Sequence, residues 1–246
     1  MDRYLLNGIN SYMRIKELLM EGGNVFDGTT PFNHNVIPDI LKIINGALKE
    51  TGIKVIPVGS GATPTPGKIS NDLDAMVDEA DVLAYFKAAD AKTGRQALGK
   101  FLKAKNLDVT LNGVNVHVKV PVGDEFHQVD LMVVPNASKI AKFHTHKLPA
   151  NSPFKGVNKQ LMLAILAKEH NMMWSAWQGL FSRNAEGKKD KFLGNDIDQI
   201  AKLLFGKNAT GANLDSVESI LKSLPKDKAD SLLAKCRLDP NWKEIK

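Results

Sequence analysis

The amino-acid sequence predicts an α+β protein, with strands and helices in its first part and a helical C-terminal region. Acidic and apolar residues alternate from Asp72 to Val77, as in a strand with one polar face. Strand-like apolar runs joined by short turns fill residues 108–134, and helical spacing dominates after residue 150. We therefore expect an α/β domain with N-terminal helices over residues 1–150 and a helical region over 151–246.

Composition indicates a soluble globular protein, with 43% hydrophobic and 24% charged residues. The single Cys236 cannot form an internal disulfide. No apolar run approaches the roughly 20 residues that span a bilayer, and the N-terminus does not resemble a signal peptide. We expect no membrane partner and a cytoplasmic location, in the host cytoplasm if the protein is viral. The net charge of +6 favours polyanionic partners such as nucleic acids.

The predicted elements of the first domain follow apolar spacing and turn residues. Helices are expected over residues 2–21 and about 35–51, with Gly52 as the stop, and the segment 79–104 is helical in composition. Strands are expected over 53–58, 72–77, 108–111, 114–120 and 125–134. Asn112-Gly113 and Gly123-Asp124 are expected turns, and Pro135 should end the last strand. Helices are expected over 156–170, 196–205, 214–224 and 226–235 in the second region.

Three aspartates are the candidate catalytic and metal-binding residues. Asp72 and Asp74 are two positions apart in a strand, so their side chains share a face. Asp130 lies on a later apolar strand and would join them if the strands pair. Carboxylate oxygens suit Mg²⁺ or Mn²⁺, and two such ions would activate an attacking hydroxyl and neutralise a leaving pyrophosphate.

The turn Gly59-Ser60 is the candidate phosphate-binding element. A glycine turn exposes backbone N–H groups, and a helix starting after it would add its positive end. Ser60 can donate its hydroxyl to a terminal phosphate, and Lys68 in the following loop could reach the same oxygens. Taken singly, an Asp-x-Asp tripeptide is more often exposed strand surface, and Lys68 more often a surface lysine. Their order along the chain favours a metal site.

The ordered set Gly-Ser, Asp-x-Asp and a lone Asp on a following strand resembles the DNA polymerase beta superfamily of nucleotidyltransferases. Val129-Asp130-Leu131-Met132-Val133-Val134-Pro135 looks like the third-aspartate strand of the family X polymerases, and the helix beginning Asn158-Lys159 is similar to one that follows it there. The resemblance implies a nucleotidyltransferase palm, that is, a mixed β-sheet flanked by helices. It implies that Asp72, Asp74 and Asp130 hold two ions, that Gly59 and Ser60 bind the β- and γ-phosphates, and that Asn158 contacts the nucleotide.

The chain also departs from that family. Met162 stands where the polymerases carry a template-reading arginine, the loop from Ala62 to Ser70 lacks an arginine after Gly-Ser, and few residues precede the catalytic strand. Templated synthesis is therefore not implied. A small stand-alone transferase of the kind encoded by phages is the closest picture.

Other residues allow more than one interpretation. His144 and His146 could form a metal pair, line the nucleotide pocket or lie on the surface. Trp174 and Trp177 could stack on bases, although core packing is favoured. The basic cluster Arg183, Lys188, Lys189 and Lys191 could contact phosphates or be solvated. Asp196 and Asp198 are expected to begin a helix.

The leading hypothesis is metal-dependent transfer of a nucleoside monophosphate from an NTP or dNTP to a hydroxyl acceptor, such as a nucleic acid 3′ end, with release of pyrophosphate. The alternative is a nucleotide- or nucleic-acid-binding protein that keeps the fold without the reaction, in a structural or regulatory role. The presence of all three aspartates argues against that alternative.

Overall fold

The computed structural model describes residues 25–145 and 152–244, which form two compact units. The predicted helix over residues 2–21 lies outside the described residues. Among the described residues, none of the helices combines the length and the apolar character that crossing a bilayer requires.

The first unit contains helices α1–α4 and strands β1–β7. The helices are α1 (Ile37–Leu48), α2 (Glu79–Phe86), α3 (Ala91–Ala104) and α4 (Ala137–His144). The strands are β1 (Phe32–Asn33), β2 (Ile56–Pro57), β3 (Ile69–Ser70), β4 (Asp72–Asp78), β5 (Asp108–Asn112), β6 (Asn115–Val122) and β7 (Glu125–Val134). Three-residue 3-10 helices occupy His34–Val36, Lys49–Thr51 and Gly59–Gly61.

A five-stranded mixed sheet organises this unit in the order β2-β4-β7-β6-β5. Strands β4 and β7 are parallel, and the other neighbouring pairs are antiparallel. A separate antiparallel pair joins β1 to β3. The predicted α+β class with a mixed sheet is therefore confirmed.

The central strands bury one face in the hydrophobic core. Alternate residues such as Leu73, Ala75, Val129 and Leu131 belong to this core, which α1 and α3 also line. Because side chains alternate in a strand, the residues between them point to the opposite face. At the start of β4 and in the middle of β7, that opposite face carries the acidic residues.

Helix α1 ends as its sequence predicts. Gly52 follows the last helical turn with φ of 71°, the left-handed conformation that glycine adopts without strain. The segment 79–104 is helical as predicted but is broken into α2 and α3. Lys87 takes a left-handed conformation at the end of α2, and Asp90 forms a capping box at the start of α3.

Two local predictions are corrected. The strand expected over 53–58 is confined to Ile56–Pro57, at the edge of the sheet. The hairpin loop expected at Asn112-Gly113 is shifted by one residue, because Asn112 pairs with Asn115. Gly59-Ser60 itself belongs to the 3-10 turn Gly59–Gly61, and the next element is β3, so no helix adds its positive end directly after the turn. The turn at Gly123-Asp124 and the end of β7 before Pro135 are confirmed.

The second unit contains helices and a three-stranded antiparallel sheet of order β10-β9-β8. Its elements are α5 (Gly156–Glu169), β8 (Met172–Ser175), β9 (Gly179–Arg183), β10 (Lys189–Gly194), α6 (Ile197–Phe205), α7 (Val217–Lys222) and α8 (Lys226–Arg237). The predicted helices are present, but the sequence prediction missed these three strands. The expectation of an entirely helical region after residue 150 was therefore wrong.

Candidate active site

Asp72, Asp74 and Asp130 lie on one face of neighbouring strands. In the parallel pair of β4 and β7, Asp74 is the direct neighbour of Asp130, and Asp72 is the neighbour of Gln128. In the antiparallel pair of β6 and β7, His117 is the neighbour of Asp130. Register neighbours project from the same face of a sheet, so these five side chains lie together on one polar surface.

Two hydrogen bonds fix the carboxylate of Asp130, which is 1% exposed. The Oδ1 atom lies 2.7 Å from Nδ1 of His117 and accepts a hydrogen bond of 2.9 Å from Nε2 of Gln128. The orientation of the Gln128 amide is set in turn by the backbone N–H of Val25, which donates to its Oε1 at 2.8 Å. Within the described part of the chain, Oδ2 of Asp130 has no hydrogen-bond partner.

The electrostatic state of Asp72 reflects its crowded surroundings. Burial, and then the neighbouring charge of Asp130, raise the pKa of the Asp72 carboxyl to about 6. Both causes disfavour the ionised form, and a cation placed between the two carboxylates would reverse the second. The site therefore holds negative charge at a cost that a bound cation would reduce.

The turn Gly59–Gly61 lies against Asp74. Val58 donates its backbone N–H to the carbonyl of Asp74 at 2.9 Å, which brings the turn to the polar face. Gly59 has φ of 57°, and a Cβ atom at this position would lie 3.2 Å from Oδ2 of Asp74. Glycine is thus favoured here both by the left-handed backbone and by the close approach of a carboxylate.

The hydroxyl of Ser60 belongs to a chain of hydrogen bonds. Its Oγ lies 3.0 Å from Oγ of Ser70, and Oγ of Ser70 lies 2.8 Å from Nε2 of His34. The backbone N–H of Thr65 donates to Nδ1 of His34 at 3.0 Å. This chain connects the predicted phosphate turn to a buried histidine.

The donor set suits a hard divalent cation, because it consists of carboxylate oxygens. One of them, Oδ2 of Asp130, is buried and has no hydrogen-bond partner among the described residues. Nevertheless, among residues 25–145 and 152–244, no three His, Cys, Asp or Glu side chains converge in a group that could hold a metal ion. The three aspartates share a face without being gathered around one point, and metal binding stays a prediction.

Comparison with protein-family models and curated proteins identified no relative of this chain. The polar face formed by β4, β7 and β6 is therefore interpreted from its own residues.

Lys68 and Asn158 are placed differently from the other predicted nucleotide ligands. Lys68 is exposed in the loop after the turn, and its carbonyl accepts the backbone N–H of His34 at 3.0 Å. Asn158 lies in the second unit and is fully buried. Its Nδ2 donates to the carbonyl of Lys243 at 2.6 Å, and its Oδ1 accepts from the backbone N–H of Lys243 at 3.2 Å. A nucleotide contact by Asn158 would have to replace these bonds.

The remaining sequence candidates have structural positions of their own. His144 is the buried last residue of α4, and His146 lies outside the described residues. Trp174 is buried on β8 and donates its Nε1–H to Gln160 at 2.9 Å, which agrees with core packing. Asp196 caps α6, as predicted, by accepting backbone N–H groups from its first turn.

The basic cluster of the second unit is partly engaged within its own sheet. Arg183 donates to the carbonyls of Met172 and Gly187, and Lys189 lies 3.6 Å above the ring of Phe181. Contact of this cluster with phosphates stays a prediction.

Sequence reasoning missed four residues of the candidate site: His117, Gln128, Ser70 and His34. His117 and Gln128 hold Asp130, and Ser70 and His34 support Ser60. A signal existed for His117, which lies between two valines in a strand and thus interrupts an apolar run. The other three become visible only when the strand register and the loop contacts are known.

Proposed function

We propose that this protein is a metal-dependent nucleotidyltransferase. It would transfer a nucleoside monophosphate from an NTP or dNTP to a hydroxyl acceptor, with a nucleic acid 3′ end as the preferred acceptor, and release pyrophosphate. The observation that carries the proposal is the register of β4 and β7, which makes Asp74 and Asp130 direct neighbours with Asp72 on the same face. The resemblance of the sequence motifs to the DNA polymerase beta superfamily supports the same assignment.

The residues of the polar face and of the adjacent turn would have different roles in this reaction. Asp72, Asp74 and Asp130 would hold Mg²⁺ or Mn²⁺, which when bound makes a hydroxyl more acidic and neutralises charge on the leaving pyrophosphate. Gly59 and Ser60 would bind the phosphates beside Asp74. The acceptor oxygen forms a bond to the α-phosphorus while the bond from that phosphorus to the bridging oxygen breaks. We assign Oδ2 of Asp130, which has no hydrogen-bond partner in the described ranges, as the group that takes the hydroxyl proton.

His117 and Gln128 would act as positioning residues for Asp130. Their hydrogen bonds occupy Oδ1 and leave Oδ2 for the reacting centre. A carboxylate whose orientation is fixed before substrate binds loses less conformational freedom during the reaction. The net charge of +6 supports a polyanionic acceptor.

The proposal is tested by screening labelled NTPs and dNTPs, with Mg²⁺ or Mn²⁺, against DNA primers, primer–templates, RNA and protein, while pyrophosphate release is measured. We expect Asp72→Asn and Asp130→Asn to lower turnover by at least about a hundredfold, because metal-assisted charge stabilisation contributes several kcal/mol. Asp108→Asn, at an exposed carboxylate on the edge strand of the same sheet, is the matched control and should retain full turnover.

Retention of wild-type turnover by both Asp72→Asn and Asp130→Asn would refute the assignment. Binding of triphosphate by the wild-type protein without pyrophosphate release on any acceptor would favour the non-catalytic alternative. Thermal unfolding of each variant, followed by far-UV circular dichroism, checks that the fold is kept.

A further inference from the structure

His34 connects the loop after the phosphate turn to the hydroxyl of Ser60. His34 is 1% exposed, and three groups of the segment 65–70 form hydrogen bonds with it. The backbone N–H of Thr65 donates to Nδ1, the carbonyl of Lys68 accepts the backbone N–H of His34, and Nε2 contacts Oγ of Ser70. One buried residue thus holds this segment at three points, and one of them is Ser70, whose hydroxyl contacts Ser60.

The hydrogen-bond partners of His34 determine where its proton lies. Because Nδ1 accepts a backbone N–H, a neutral imidazole must carry its proton on Nε2. Burial, and then the charge of Lys68, lower the pKa of His34, which favours the neutral ring. The Nε2–H group therefore donates to Oγ of Ser70 at 2.8 Å.

The direction of donation continues from Ser70 to Ser60. A serine hydroxyl has one proton and two lone pairs, so Ser70 can accept from His34 and donate its own proton onward. Among the described residues, Oγ of Ser60 is the only other side-chain partner of the Ser70 hydroxyl, at 3.0 Å. Directing the Ser70 proton to this neighbour makes Ser60 the acceptor and leaves the Ser60 proton to donate to a ligand.

We propose that His34 and Ser70 are positioning residues that fix Ser60 as a hydrogen-bond donor toward an acceptor-only anionic oxygen, namely the terminal phosphate of a bound triphosphate. This inference rests on the proposed function and assigns a direction to one of its contacts. A phosphate oxygen at neutral pH accepts hydrogen bonds, so a hydroxyl fixed as a donor is already oriented for it. Because Gly59 lies against Asp74, the donated hydrogen bond would hold the phosphate tail beside the carboxylate face.

The first test measures the tautomer of His34 in the ligand-free protein. Long-range ¹H–¹⁵N correlation spectra of the full chain with ¹⁵N-labelled histidine distinguish a proton on Nε2 from one on Nδ1. We expect the proton on Nε2, and a proton on Nδ1 would overturn the proposal whether or not the protein transfers nucleotides.

The second test is a double-mutant cycle between Ser60 and Ser70, with binding of inorganic tripolyphosphate and Mg²⁺ measured by titration calorimetry. We expect Ser60→Ala to weaken binding about tenfold or more and Ser70→Ala about threefold, because hydrogen bonds to charged groups are stronger than neutral ones. The double variant should bind no more weakly than Ser60→Ala alone, because Ser70 acts through Ser60. Independent, additive losses, or no binding by the wild-type protein, would overturn the proposal.

Two substitutions of His34 separate its contacts. His34→Gln places an amide nitrogen near the position of Nε2 and should retain most of the affinity, whereas His34→Asn lacks a donor that reaches Ser70 and should weaken binding as Ser70→Ala does. Ser182→Ala is the matched control, since it removes a hydrogen-bonded hydroxyl in the second unit and should leave affinity unchanged. If His34→Asn binds like wild type, the connection through Ser70 is refuted.

The outcomes distinguish this inference from the proposed function. If the losses of tripolyphosphate affinity in Ser60→Ala and Ser70→Ala are additive while the protein transfers label, the hydrogen-bond chain is refuted and the proposed reaction is not. If the Ser60 and Ser70 losses are non-additive as expected but the protein transfers no label, the proposed nucleotidyltransferase reaction is refuted and an anion-binding site remains.

Discussion

Asp72→Asn should stabilise the first unit of the metal-free protein at neutral pH. The pKa of Asp72 is raised from 3.8 to about 6 in the folded protein, so the folded state binds this proton more tightly than the unfolded state does. The stabilisation that the protonated Asp72 carboxyl provides is therefore complete below about pH 3.8, and it is lost as the pH rises through about 6. Asparagine keeps the shape of the side chain and removes the charge.

The size of the effect follows from the shift. Two pKa units at 1.36 kcal/mol each set a ceiling of about 3 kcal/mol in the free energy of unfolding. Asp72 is only partly shielded from solvent, and asparagine also has to be desolvated, so we expect about 1–2 kcal/mol at pH 7.5. At pH 5 the aspartate is mostly protonated, and the difference between the two proteins should shrink accordingly.

The assay must report on the unit that contains the site. The three tryptophans, Trp174, Trp177 and Trp242, all lie in the second unit, so their fluorescence would follow the wrong part of the protein. Native-state amide hydrogen exchange at Ala75 and Leu131, on the paired strands β4 and β7, measures the local opening free energy directly.

The control and the refuting results are specific. Asp108→Asn should change these opening free energies little at either pH, because its carboxylate is exposed. Equal or lower protection in Asp72→Asn at pH 7.5, or the same gain at pH 5 and pH 7.5, would refute the electrostatic explanation. Saturating Mg²⁺ should stabilise the wild-type protein more than the variant.

Three further changes test other parts of the structure. Gly59→Ala should lower the free energy of unfolding by about 1 kcal/mol and reduce turnover, because it places a side chain in a left-handed conformation against Asp74. Urea unfolding followed by circular dichroism measures the stability, and pyrophosphate release measures the turnover. His117→Ala should reduce turnover about 10–100-fold while tripolyphosphate affinity changes less, because it removes one of the two hydrogen bonds that orient the carboxylate of Asp130. Equal losses of turnover and affinity would contradict that role. Lys159→Met should stabilise the second unit by about 1–3 kcal/mol at pH 7, as followed by tryptophan fluorescence. Burial, only partly offset by the charge of Asp215, lowers the pKa of Lys159 to about 8, and its Nζ has no hydrogen-bond partner among the described residues. Its folded pKa is depressed, so the wild-type protein should gain stability as the pH rises from about 8 to 10.5 and approach the variant.

The sequence was informative wherever one face of an element is buried. Alternation of acidic and apolar residues located β4 and gave the positions of Asp72 and Asp74, and the apolar run around Asp130 located β7. Glycine and proline predicted the ends of α1 and β7 because their backbone preferences act locally.

The missing parts depend on contacts that are distant along the chain. His117 and Gln128 reach Asp130 only through the register of three strands, and His34 reaches Ser70 through the pairing of β1 with β3. The sheet of the second unit has short strands, and the pairing of β10 with β9 contains register shifts, so no regular period marks it in the sequence.

The parallel pairing of β4 with β7 also affects the order of folding. Strands β6 and β7 form a hairpin whose contacts are local, whereas β4 is separated from β7 by two helices and two strands along the chain. Pairing across such a separation closes a large loop and is kinetically slow. The repulsion between Asp72 and Asp130 then arises only as β4 docks, so removing it should change the rates of docking and release of this strand and leave formation of the hairpin unaffected.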